Sequence, residues 1–171
     1  MKKKMVLLVI PLLLLVLLSI VFSTDTQNKE LEAAQKLNAL GLFDHAQTDA
    51  TGNFVSDLER ETTRYEMIHM LVRLLGKEDV AKAGNWKIPF DDVADWAKPY
   101  IGYAYANGLI AGTSPKSYSG ERGATPAEYI TMLLRALGYE EGMDFLWYKP
   151  WNLSDALGFT DGRYDAIPEP F

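Results

Sequence analysis

The chain has 171 residues with 17 Lys+Arg, 23 Asp+Glu, two His and no Cys, and 48% of it is hydrophobic; that suffices for one compact unit or a few short repeats, and is too small for a typical two-domain enzyme. Without cysteine there is no disulfide framework, zinc knuckle, thiol nucleophile or lipid-modified cysteine. The net charge of −6 and pI near 4.9 argue against general nucleic-acid binding, which needs clustered cations.

Lys2, Lys3 and Lys4 precede Met5 to Phe22, a run in which only Pro11 and Ser19 are not strongly apolar, and polar sequence begins after Ser23. Residues 1–23 have the layout of a signal peptide, with Val21 and Ser23 small enough to flank a cut after Ser23. The rival reading is an uncleaved anchor, because eighteen helical residues at about 1.5 Å each reach roughly 27 Å, just enough to span a bilayer. Either way the remainder is exported. Residues 1–23 contain three lysines and no acid, so without them the net charge falls from −6 to −9.

The rest of the chain repeats itself. At a shift of 62, Thr63, Glu66, Leu71, Arg73, Leu75 and Gly76 pair with Thr125, Glu128, Leu133, Arg135, Leu137 and Gly138. Upstream the shift is 67, pairing Gly41-Leu42 with Gly108-Leu109, so the first copy has the longer loop. Ala156-Leu157-Gly158-Phe159 resembles Ala39-Leu40-Gly41-Leu42, which starts a third copy without its second helix. The expected segments are a first copy at 24–78, a second at 79–140 and a truncated third at 141–171.

Each copy reads as helix, loop, helix, and the fold class expected is all-α with at most very short strand pairings in loops. In copy one, Leu31, Ala34, Leu37 and Leu40 recur at helical spacing before Gly41. A second helix is expected from Arg64 to Leu75 with Met67, Met70, Leu71, Leu74 and Leu75 as its buried stripe. In copy two, Trp96, Tyr100, Ile101 and Ala104 line the first helix, and Ile130, Leu133, Leu134 and Leu137 the second. Pro99 leaves only a looser turn at Trp96. Residues 77–89 read as a polar connector.

Thr63-Arg64-Tyr65-Glu66 and Thr125-Pro126-Ala127-Glu128 both fit Thr-x-x-Glu, the capping box in which hydroxyl and carboxylate each satisfy a helix-terminal amide. Pro126 fits the first helical position, where its missing N–H is not needed. Capping accounts for Thr and Glu but not for Arg64, a cation at the positive end of a helix. A guanidinium beside helix-terminal amides suits bidentate capture of a carboxylate, against the plainer reading of a solvated surface charge.

The spaced motifs Phe90-Asp91-Asp92-Val93, Trp96-Ala97, Tyr100-Ile101, Ala104 and Gly108-Leu109-Ile110-Ala111-Gly112, followed by Tyr118 and a Thr-x-x-Glu helix, closely resemble the S-layer homology domain repeat. Copy one supplies Gly41-Leu42-Phe43, Phe54 and Thr63-Arg64-Tyr65-Glu66. The resemblance covers about residues 28–171. It implies a pseudo-threefold helical module whose grooves bind anionic secondary polymers of the bacterial cell wall, often ending in a pyruvylated amino sugar. Carried over, Arg64 is the cation that meets the acidic group, and Asp92, Trp96, Gly108 and Gly112 complete the groove motif. Copy two has Pro126 where the cation belongs; Arg122, in the loop Gly120-Glu121-Arg122-Gly123, is a substitute if that loop folds back, or else a solvated turn residue paired with Glu121.

Other chemistries find little support. His45 and His69 lack a third metal ligand. Asp49, Thr51, Asn53 and Asp57 only vaguely suggest a calcium loop, since Phe54 stands at its glycine position and Arg60 at its closing glutamate. Asp91, Asp92 and Asp95 are explained by turn formation and capping. No nucleophile elbow, phosphate loop or dinucleotide fingerprint occurs, so no cofactor, metal or enzyme activity is expected. The partner implied is a secondary cell-wall polysaccharide on peptidoglycan, with no nucleic acid and with neighbouring envelope proteins as further contacts. The module belongs at the bacterial wall or surface, membrane-held if the leader stays. The alternative is a degenerate module with a structural or protein-interaction role. Wall binding on this reading places the Arg64 guanidinium exposed in a groove beside Trp96 or Asp92; the alternative leaves it paired with a neighbouring acid.

Overall fold

A computed structural model describes residues 28–42, 46–48, 50, 54–56 and 60–164. The signal segment, His45 and the calcium-like residues Asp49, Thr51, Asn53 and Asp57 lie outside the described residues. Two compact units divide the chain, 1–60 and 61–171.

In the first unit, helix α1 spans residues 28–39, so Leu40 stands in the turn beyond it and not on its stripe. The turn closes with Gly41 N–H on the Asn38 carbonyl (2.8 Å) and Leu42 N–H on that of Leu37 (2.8 Å), a left-handed glycine stop. The strand pairing expected in loops is β1 (Ala46–Thr48) against β2 (Phe54–Ser56), antiparallel with Gln47 opposite Val55.

The second unit is helical: α2 (Arg64–Leu74), α3 (Glu78–Ala83), a 3₁₀ turn (Asp95–Ala97), α4 (Lys98–Ala106), α5 (Pro126–Ala136) and α6 (Trp151–Ala156). Both capping boxes form. Thr63 Oγ1 accepts from the Glu66 amide (3.3 Å) while Glu66 accepts from the Thr63 amide (2.8 Å), and Thr125 and Glu128 do the same at 3.2 and 2.9 Å. Pro99 sits in the first turn of α4, where its missing N–H is not needed, and the looser turn at Trp96 is the 3₁₀ segment.

Three expectations about elements are corrected. The connector after Gly76 carries a helix, α3, with Glu78 and Asp79 in its first turn and Ala81 buried. Acids at a helix start favour the macrodipole, and Ala81 gives this short helix an apolar contact inside the core. The stripe of α2 is wider than expected and shifted: Met67 and Leu71 are buried as expected, but Leu74 is exposed, and Tyr65, Ile68 and Val72 are buried as well, because α2 packs against both α3 and α4. On α5, Leu137 is likewise exposed, and Thr131 and Met132 are buried in addition to Ile130 and Leu134.

Two cores result. One gathers Ile68, Leu71, Val72, Ile101 and Ala104 with the buried Tyr118, each large aliphatic contributing about 1.5–3 kcal/mol. The other joins α5 to α6 through Ile130, Leu134, Phe145 and Trp151. One short order of residues recurs at two helix starts: Trp147-Tyr148-Lys149-Pro150 stands before α6 as Trp96-Ala97-Lys98-Pro99 stands at the start of α4.

Candidate functional site

Arg64 opens α2, and the loop of residues 120–124 is laid across that helix start. The Arg64 amide donates to the Arg122 carbonyl (3.0 Å), that of Tyr65 to Gly120 (3.0 Å), and that of Ala124 to Thr62 (2.8 Å). With the Glu66 amide on Thr63 Oγ1, the first amides of α2 are engaged inside the chain. The expected anion site of guanidinium plus helix-terminal amides is therefore reduced to the guanidinium.

That guanidinium is not on the surface. Arg64 is 6% exposed, donates through Nε to the Tyr118 carbonyl (3.0 Å) and through Nη2 to Ala111 (3.2 Å), and pairs with the Glu128 carboxylate through Nη1. Its carbon lies 4.4 Å from the centre of the Tyr118 ring, a favourable cation–π distance. Burial pushes the Tyr118 hydroxyl well above its ordinary pKa. Glu128 Oε1 also accepts from Arg122 Nη2 (2.5 Å). Burial raises the Glu128 pKa, but the hydrogen bonds from Arg122 and the Thr125 amide, with the Arg64 charge, outweigh it and leave it lowered. Arg122 thus folds back toward the start of α5, and the carboxylate it reaches is the chain's own Glu128, not Glu121.

The other residues singled out in the sequence fall in different places. Asp92 accepts from the amides of Tyr118 (2.7 Å) and Ser119 (2.9 Å) and from the Ser117 hydroxyl. Desolvation opposes its ionisation, but these bonds prevail and hold it at about 2. Its work is to fix the loop whose Tyr118 backs Arg64. Trp96 is 52% exposed and stands edge-on to Tyr65 (5.4 Å) and His69 (6.4 Å). Gly108 ends α4 at φ +70°, a stop that an L side chain would strain. A Cβ on Gly112 would meet the Phe90 ring at 2.4 Å and the Ser114 and Ser117 carbonyls at 2.5 and 2.6 Å, so only glycine fits.

Arg64 and Gly112 do share a cavity, of about 430 Å³, whose further walls include Thr113, Glu128, Thr131, Met132, Arg135, Glu141 and Trp147. Asp92 and Trp96 do not line it. The expected groove of Arg64 with Trp96 or Asp92 is replaced by one with Trp147, which is 49% exposed. Arg135 crosses the wall to pair with Glu141, donating also to the Leu109 carbonyl (3.4 Å). Sequence reasoning did not assign Thr131, Arg135 and Glu141 to the site, and it reached Trp147 only as one of the clustered rings Phe145, Trp147, Tyr148 and Trp151, which either stack on a sugar face or fill the core. The Trp-x-Lys-Pro match at 147–150 was the available signal for Trp147. Among the described residues, no group of three potential ligands could hold a metal ion, and no helix is long and apolar enough to cross a membrane.

A helical unit with capping boxes, a Phe-x-Asp-Val loop and a cavity behind its Gly-x-x-x-Gly turn is the architecture of one protein class. Residues 89–131 match the family model of the S-layer homology domain. Over 118 residues, 68% of this chain, it is 30% identical to a middle cell wall protein of Brevibacillus brevis and to a surface layer protein of Brevibacillus choshinensis, covering 11% and 10% of those proteins. A cell surface protein of Thermoanaerobacter kivui is 31% identical over 112 residues, 64% of this chain and 14% of that protein. The chain thus spans about a tenth of the length of the first two relatives. This chain carries an S-layer homology domain.

Proposed function

We propose that the chain is a non-catalytic cell-surface module that binds an anionic secondary cell-wall polymer, ending in a pyruvylated amino sugar, and so anchors to the bacterial envelope. Residues 1–23 direct its export, and 24–78, 79–140 and 141–171 are its successive repeats. The observation that carries this reading is the cavity where Arg64 of copy one meets Gly112 of copy two and Trp147 of copy three. Its buried cation, hydroxyls and half-exposed indole form the kind of lining that takes a sugar bearing an acid. Its family match and wall or surface relatives support the same assignment.

Two acidic partners do not attract each other at long range, so binding is local. Full-length protein is retained on sacculi that carry the polymer and released when the polymer is extracted. Trp147→Ala, at an exposed position, lowers retention at least fivefold, whereas Arg73→Ala, away from the cavity lining, leaves it unchanged. Equal retention on stripped sacculi refutes the reading.

A second reading rests on the Arg64–Glu128 pair. With that guanidinium already holding an internal carboxylate, the module serves to pack repeats or meet an envelope protein, and sacculi binding is then independent of polymer and of Trp147 alike.

A further inference from the structure

Thr131 is 7% exposed on α5, and its Oγ1 is buried without a hydrogen-bond partner among the described residues. A threonine inside a helix ordinarily bonds its hydroxyl to the carbonyl four residues back, here that of Ala127, and this one does not. Buried hydroxyls are hydrogen-bonded in the great majority of proteins, because an unmet one is destabilising. Valine would fill the same volume without that cost. The side chain lines the cavity that holds Arg64 and Trp147.

The repeat makes the same point independently. At the shift of 62, Thr131 corresponds to His69, and in the Trp-x-Lys-Pro stretches Trp147 corresponds to Trp96. His69 faces Trp96 at 6.4 Å between ring centres, and Thr131 shares its cavity with Trp147. One helix position therefore puts a polar side chain near the next copy's tryptophan twice. His69 meets Glu78 at 3.8 Å and stacks edge-on with Tyr100 at 4.5 Å; Thr131 has no such partners.

We infer that Thr131 is a specificity-determining residue of the cavity: rotation about its Cα–Cβ bond turns the hydroxyl to a neutral polar group, a hydroxyl or acetamido, on a sugar seated between Arg64 and Trp147. Staggered positions of that bond make the rotation a single step between wells. Arg64, with N–H groups beyond its three internal acceptors, takes the acid of the same sugar; Trp147 takes the apolar ring face. The ligand class is an acidic N-acyl sugar, and this assignment rests on the wall-polymer reading for its source.

The test uses full-length protein, wild type and Thr131→Val and Thr131→Ser, titrated with N-acetylmuramic acid, with N-acetylglucosamine as the ring without the acid and lactate as the acid without the ring. Retention on polymer-bearing sacculi and thermal unfolding are measured alongside. Wild type is expected to prefer N-acetylmuramic acid. Thr131→Val weakens that binding and sacculi retention about tenfold while raising the melting temperature, and Thr131→Ser restores binding. Valine binding sugar and sacculi as well as wild type, or lowering the melting temperature, overturns the role. Thr131-dependent sugar binding without sacculi retention sinks the wall-polymer reading and leaves the role standing; polymer-dependent retention unchanged in valine does the reverse. A wild type that binds neither sugar nor sacculi overturns both.

Discussion

Two stations in the molecule are built from the same repeat position and behave differently. Around His69, the polar groups interlock: the imidazole packs on Tyr100 and Trp96, Glu78 accepts from Tyr100 and Lys82, and Arg73 lies 3.7 Å from the same carboxylate. Around Thr131, the corresponding Arg135 also pairs with an acid, Glu141, but a two-carbon side chain replaces the imidazole. Tyr100 is matched by Trp151, buried in the α5–α6 core and without a phenolic hydroxyl to engage an acid. A shorter side chain and a buried ring without a hydroxyl leave one station knit together and the other beside a cavity. A repeat can thus keep its scaffold and vary its chemistry through two positions.

The largest effect should come from Arg64, which serves the cavity and the scaffold at once. Arg64→Ala removes three hydrogen-bonded contacts and leaves the Tyr118 and Ala111 carbonyls unmet, with Glu128 held by Arg122 and the Thr125 amide alone, so a loss of about 3 kcal/mol is expected in denaturant unfolding. A loss below about 1 kcal/mol would show the guanidinium to be held there by the cavity alone. For the comparison itself, His69→Ala should cost about 1–2 kcal/mol through its lost ring contacts, and Thr131→Ala less than about 1. Equal costs, read by the same unfolding curves, would erase the distinction between the stations.

An effect of a different kind is in pH. Asp92 ionises at about 2 in the folded chain against an ordinary 3.8, so its carboxylate adds stability above pH 3.8 that disappears as the pH falls toward 2. Thermal unfolding from pH 5 to 2 should show that decline, and Asp92→Asn should remove this component of it.

What was legible in the sequence was local. Thr-x-x-Glu, the glycines after each helix and Pro99 in a first turn act within four residues, and all appear where expected. The partner of Arg64 was hidden because Glu128 lies 64 positions away and already had a full explanation as a cap. Which face of α2 is buried depends on α3 and α4 together, and α3 was read as connector because six residues carry too little periodicity to register. Thr131 escaped notice because an unmet hydroxyl is a property of surroundings; only its match to His69 pointed to it.

The loop over the start of α2 has a consequence in time. Chains are made from the N-terminus, and the residues that complete the first turn of α2 arrive late: Tyr118, whose carbonyl receives Arg64 Nε, is 54 positions downstream, and Gly120 and Arg122 follow it. Until they emerge, the amides of Arg64 and Tyr65 face water and the guanidinium lacks its Tyr118 and Glu128 acceptors. Nascent chain ending before Gly120 should therefore hold α2 only weakly, open to proteases. The cap of α2 is written in four consecutive residues, but its first turn waits for a loop made more than fifty residues later.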